Sequence, residues 1–214
     1  MLINQKLLAA RHALSTDPAR YNLNGLHFRD RENVTATDGH RAIRIHLPAL
    51  STKEFPDVAG AVITDDPIKP FIMPGDTVQK IRKAIPKRSS MPILCNAAID
   101  RSVDSNGEMQ VITTDLESTE VIRFRPIDGT FPDVDAVDPD VGANGDPLVR
   151  IGINAAYLKD AAAAIQEFTG NRNAVVCIRL RWCEDLDLKP MILEGTDKEG
   201  GTIKVIQMPM RLDK

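Results

Sequence analysis

The chain carries one structural pattern three times, and a repeat of that length restricts the fold more than any compositional property. Met1-Leu2-Ile3, then Asn4, then Gln5 to Leu14 reads as a short strand, an N-cap and a helix, the Asn side chain accepting an N–H of the first turn. The same order returns as Val149 to Ile153, Asn154, and Ala155 to Ile165. Another copy starts at Pro70-Phe71-Ile72-Met73, where Pro74-Gly75-Asp76 opens a helix over Thr77 to Ile85 and Pro86 ends it. Strand-like sequence follows each helix: Leu23 to Phe28, Asn33 to Thr37 and Arg41 to Leu47, then Ile93 to Ile99, Met109 to Thr114 and Glu120 to Pro126, then Ala174 to Trp182, Pro190 to Glu194 and Thr202 to Met210. Asp38-Gly39, Ser105-Asn106-Gly107 and Glu199-Gly200-Gly201 supply turns. Each unit therefore predicts strand-helix-strand-strand-strand, or βαβββ. Two units side by side predict a sheet on one face and two helices on the other, an α+β domain.

The acidic run Asp128 to Pro147, punctuated by Gly and Pro, reads as a solvated linker. The expected organisation is a complete domain over 1–137, made of units 1–68 and 69–137. Residues 138–214 then hold acidic linker and a third βαβββ unit, half a domain. The linker aspartates do not meet the Gly and Glu positions of an EF-hand loop, so no metal or other cofactor is expected.

A chain of 214 residues, 43% hydrophobic and 27% charged, is long enough for real cores and ordinary for a soluble protein. No apolar run approaches the ~20 residues of a membrane span, and the N-terminus lacks the layout of a signal peptide. A cytoplasmic location is the expectation. Cys95, Cys177 and Cys183 have neither zinc-ligand spacing nor a disulfide framework and read as reduced thiols in strands. No phosphate loop, nucleophile elbow or zincin motif is present, and Asp65-Asp66 lies in turn-like sequence, so the chain reads as non-catalytic. A net charge of −3 does not exclude DNA, because the placement of the positive groups matters more than their sum.

Three phrases resemble the bacterial DNA polymerase sliding clamp, the beta subunit of the replicative polymerase. They are Ala36-Thr37-Asp38-Gly39-His40-Arg41-Ala42 with Leu23-Asn24-Gly25 upstream, Asp128-Gly129-Thr130-Phe131-Pro132-Asp133, and Met208-Pro209-Met210-Arg211-Leu212. Residues 1 to about 137 resemble the whole middle domain of a clamp, and those from about 147 resemble the second half of its last domain. The resemblance implies clamp domains with the sheet outside and the helices inside. It also implies a function: a processivity factor that encircles double-stranded DNA and tethers polymerase, clamp loader or repair proteins through a hydrophobic peptide groove. A second reading is a peptide-binding adaptor or decoy that never closes on DNA.

Carried over by position, the groove comprises Leu23, Thr37, Gly39, His40 and Arg41, then Pro132 and Val137, then Pro190, Ile206, Met208, Pro209, Met210, Arg211 and Leu212. Methionine suits a surface that must accept varied apolar anchors, and Thr37 and Arg41 are polar groups able to orient a peptide. Asp135 and Ala136 stand where the family tends to have basic residues. Without the resemblance these residues have plainer readings. Asp38-Gly39 is then a type I′ hairpin turn with φ > 0 at both central residues. His40 is structural, and Met208 and Met210 share one strand face, either core or groove wall.

On the helix over Thr77 to Ile85, Val78, Ile81 and Ile85 form the buried stripe, and Lys80 and Lys83 point about 200° away. The resemblance makes these two lysines DNA contacts, with Arg82, Lys87, Arg88, Arg20, Tyr21, Lys6 and Arg11. The third helix is poorer in cations, Lys159 being offset by Asp160 and Glu167. Its apolar stripe, Leu158, Ala161, Ala162 and Ile165, has no second unit in the chain to cover it. Self-pairing about a two-fold axis, and hence a homo-oligomer, dimer or tetramer, is the expected cover.

Overall fold

Both asparagine caps form: Asn4 accepts the Lys6 N–H and Asn154 accepts the Ala156 N–H, each at 2.9 Å. The computed structural model describes residues 1–57, 63–86, 91–100, 107–137, 151–179, 190–198 and 200–210. They fall into two compact units, Met1–Val141 and Gly142–Lys214.

In the first unit β1 (Leu2–Asn4) runs into a 3-10 helix, Gln5–Ala13. Leu7, Ala10 and Ala13 recur at every third residue and are buried, a spacing that suits three residues per turn. Strands β2 (Gly25–Phe28), β3 (Asn33–Thr37) and β4 (Ala42–His46) complete the first repeat. The second repeat supplies β5 (Phe71–Pro74), α1 (Gly75–Ala84), β6 (Asn96–Asp100), β7 (Met109–Thr114) and β8 (Thr119–Phe124).

The strands form two antiparallel four-stranded sheets, ordered β4-β3-β2-β5 and β1-β6-β7-β8, where a single sheet was the expectation. The repeats exchange first strands: β1 pairs with β6 in the register Leu2↔Ala98, and β5 pairs with β2 in the register Leu26↔Met73. The exchange satisfies backbone groups at one edge of each three-stranded remainder and ties the halves into one core. That core joins Leu8, Val78, Ile81 and Ile85 to Leu26, Phe28, Ala97 and Ile99, so both helices and both sheets bury the same surface.

The second unit holds α2 (Ala155–Thr169), closed by Gly170 at φ +59°, then β9 (Cys177–Arg179), β10 (Met191–Thr196) and β11 (Thr202–Gln207), in the sheet order β11-β10-β9. Ala161 and Ile165 bury against Met191 and Leu193. The rest of the expected stripe does not: Ala162 is half-buried and Leu158 exposed, because one three-stranded sheet covers only part of the helix face.

The segment Asp128–Val137 is also not a free linker. Asn22 donates to the Thr130 carbonyl at 2.8 Å, and Phe131 stacks on His27 with ring centroids 4.6 Å apart. Asp135 then pairs with Arg29 at 3.0 Å and Arg44 at 2.7 Å. Gly129 at the start of this strap lies close against Asn22: a Cβ there would lie 3.2 Å from the Asn22 Cβ, tighter than an ordinary contact. Residues 138–147 of the expected linker lie outside the described residues. Of the thiols, Cys95 ends a 3-10 turn, Cys177 is exposed on β9, and Cys183 lies outside the described residues. Among the described residues no helix is long and apolar enough to cross a membrane.

Candidate functional site

The β3–β4 connection is built by its own side chains. The Thr37 hydroxyl donates to the Arg41 carbonyl at 2.8 Å and accepts the Gly39 N–H at 3.1 Å. Asp38 Oδ1 accepts the His40 and Arg41 N–H groups at 2.9 and 3.0 Å, and Oδ2 takes the Arg41 Nε–H at 3.0 Å. The His40 and Arg41 N–H bonds and the Arg41 charge hold the Asp38 carboxyl below the usual range. Only Gly39 has positive φ, +87°, so the loop is not the type I′ turn that Asp38-Gly39 suggests. The Asp38 side chain, by taking two N–H groups, removes the need for a second left-handed residue.

The same device closes β7. Thr114 donates to the Ser118 carbonyl at 2.9 Å and accepts the Leu116 N–H, while Asp115 Oδ1 accepts the Glu117 and Ser118 N–H groups. In the second unit Asp197 Oδ1 accepts the Gly201 N–H at 2.7 Å. The signal is a Thr-Asp pair ending the middle strand of every repeat: Thr37-Asp38, Thr114-Asp115 and Thr196-Asp197. Sequence reasoning passed over it, taking turns at Asp38-Gly39 and Glu199-Gly200-Gly201 but none at Asp115.

Beside this turn lies a cleft of about 680 Å³ lined by Thr37, Gly39, His40, Arg41, Ala42, Arg44, Pro132, Asp133, Val134 and Val137. It brings together six of the expected groove residues from two distant segments. His40 and Arg41 are exposed on it, and Val137 is 78% exposed at its wall. Leu23 is buried and is not among the lining residues. Thr37 is also buried, and its hydroxyl bonds both the Arg41 carbonyl and the Gly39 N–H, so it holds the turn and shapes the wall of the cleft. Arg20, expected at DNA, is exposed beside the turn, donating to the Asp38 carbonyl at 3.4 Å, with Nη1 2.6 Å from where a Gly39 Cβ would lie. Exposed Tyr21 packs beside Gly129 at the start of the strap.

In the second unit Ile206, Met208 and Met210 are all exposed and alternate with buried Gln207 and half-buried Pro209. Both methionines are thus on the surface and not in the core, forming an apolar row with Ile206. Pro190 is exposed, and Arg211 and Leu212 lie outside the described residues.

Cations gather elsewhere on the first unit. Gln5, Ala9 and Arg11 of the 3-10 helix face Arg82 and Lys83 of α1 across a cleft of about 480 Å³. Burial, and then the Arg82 charge, lower the Arg11 pKa. Lys6, Lys80, Arg82 and Lys83 are exposed, and none of them is ion-paired among the described residues. Lys87 and Arg88 lie outside the described residues.

No family model matches the sequence, and no curated protein matches it. Solved structures do. The beta sliding clamp of C. crescentus is similar at TM-score 0.69 and 18% identity, over 98% of this chain and 50% of that one. The DNA polymerase III subunit beta sliding clamp of Bartonella birtlesii, solved bound to griselimycin, gives 0.67 and 19%, over 100% of this chain and 51% of that one. The Bacillus subtilis clamp gives 0.64 and 18%, over 98% and 48%. At this identity the likeness concerns the fold, and the chain spans about half the length of the clamps it matches. Over that length the chain has the fold of the bacterial DNA polymerase III beta sliding clamp.

Proposed function

We propose that this protein is a non-catalytic, cytoplasmic sliding-clamp-like processivity factor that surrounds double-stranded DNA and tethers polymerase or repair proteins by short peptide motifs. The observation that carries the reading is the cleft at the Thr37–Arg41 turn. It joins an exposed arginine and histidine to Pro132, Val134 and Val137, a combination suited to a peptide with an apolar end and a polar one. The exposed row Ile206, Met208, Met210 offers further adaptable apolar surface. The cationic cleft of Arg11, Arg82 and Lys83 supports contact with phosphates.

Calorimetry on the full chain tests it. A peptide with a Gln and a hydrophobic pair binds with roughly micromolar affinity, from a few buried side chains at ~1.5–3 kcal/mol each less ordering costs. Val137→Asp, at an exposed position, weakens it about tenfold or more without changing the melting temperature. Absence of heat with every such peptide removes the tethering role.

A further inference from the structure

The first unit shows how one βαβββ repeat covers another, and the described residues of the second unit form a single repeat. The three repeats align through their turns. Phe28 pairs with Val34, Ile99 with Val111 and Ile178 with Leu193, each partner lying three residues before the turn threonine. Phe28 and Ile99 are each 0% exposed, while their counterpart Ile178 is 53% exposed. What covers the first two is the exchanged strand. Phe71 lies opposite Phe28 with the rings stacked at 5.0 Å, and Met1 exchanges backbone bonds with Ile99 at 2.7 and 2.8 Å.

The second unit also holds its own first strand ready. The Met210 N–H donates to the Gly152 carbonyl at 2.8 Å. The matching bond in the second repeat is Ile127 N–H to the Ile72 carbonyl, at 2.9 Å. Both acceptors lie two residues before their helix N-caps, Asn154 and Pro74. Ile72 makes that bond while its strand pairs with β2 of the other repeat, opposite His27. The segment Ile151–Ile153 is therefore docked like β5. Among the described residues, the side that β5 gives to the other repeat has no strand on it, and neither does the outer edge of β9.

We propose that two copies of this chain pair through their second units by reciprocal strand exchange, each Ile151 opposite the other copy's Ile178 and each Gly152 opposite the other copy's Cys177. The unit offers both halves of the contact at once, a first strand and the edge that receives one, so it is complementary to itself about a two-fold axis. The pairing buries Ile178 and completes a second two-repeat domain. It does not depend on peptide or DNA binding, and it is measured with neither present.

Light scattering of the full chain at micromolar concentration tests the pairing first. The expected mass is twice the chain's 23.6 kDa, or a multiple of that dimer. Ile178→Lys, placed where the free unit is exposed, halves it. The register is read by coexpressing a Gly152→Cys, Cys177→Ser chain with the wild-type chain. Leu2 and Ile72 occupy the matching strand positions, so a side chain at 152 has precedent in both other repeats. Oxidation then yields a 152–177 disulfide that can form only between copies, identified by peptide mass. A wild-type monomer overturns the proposal. So does a dimer that forms no such link and survives Ile178→Lys.

Discussion

Arg44 on β4 holds the carboxylate of Asp135 at 2.7 Å, and this contact, shared with Arg29 at 3.0 Å, pins the strap that walls the cleft. An acidic residue stands where the resembling family tends to be basic, and its charge is taken up inside the unit. Asp135→Asn loosens the strap. Exposed pairs contribute little, so the loss of stability in denaturant titration is under about 1 kcal/mol. Hydrogen exchange over Asp128–Val137 accelerates nonetheless, and peptide affinity falls with it.

The two matching turns of the first unit make opposite predictions about glycine. Gly39 and Leu116 occupy the same place, at φ +87° and +78°. A leucine there carries the left-handed penalty of about 1–2 kcal/mol that glycine avoids. Leu116→Gly raises stability by up to about 1 kcal/mol, after the entropy glycine loses on folding is set against the relief. Gly39→Ala lowers it by a similar amount. Arg20 is flexible and yields to the new methyl, so the cost is conformational. Equal changes of the same sign at both positions contradict the equivalence.

His27, stacked under Phe131, has its pKa lowered by burial and then by the Arg29 charge. The folded unit thus binds that proton less readily than the unfolded chain does. Stability is complete above the ordinary histidine range near ~6.5 and falls as pH drops through it, before the carboxylates titrate. Asp30, Asp38 and Asp115, all lowered, add their loss in a separate window at and below the carboxylate range. His27→Gln removes the upper step of a melting-temperature profile and leaves the lower one.

For DNA, Lys80→Glu with Lys83→Glu weakens association and flattens its dependence on salt, by about 0.9 in the log–log slope for each phosphate that is no longer neutralised. A closed ring is held topologically, so the wild-type protein stays on circular DNA and leaves linear ends. Equal retention on both argues against encirclement.

The repeat, the caps at Asn4 and Asn154, the strand order along the chain and the α+β class are all legible in the sequence, because each depends on neighbours a few residues apart. So are six residues of the cleft, although only through a resemblance, since nothing local says that Thr37–Arg41 and Pro132–Val137 meet. Tertiary structure alone decided the rest. Which strand edge β1 and β5 join is a choice among hydrogen-bonding partners that every edge offers alike, and the shared core settles it. The strap over 128–137 is acidic and rich in turn residues, as a solvated linker is, and its contacts with Asn22, His27, Arg29 and Arg44 make it structure. The Thr37 hydroxyl reads as a free polar group in one dimension and is bonded to its own turn in three, donating to the Arg41 carbonyl and accepting the Gly39 N–H.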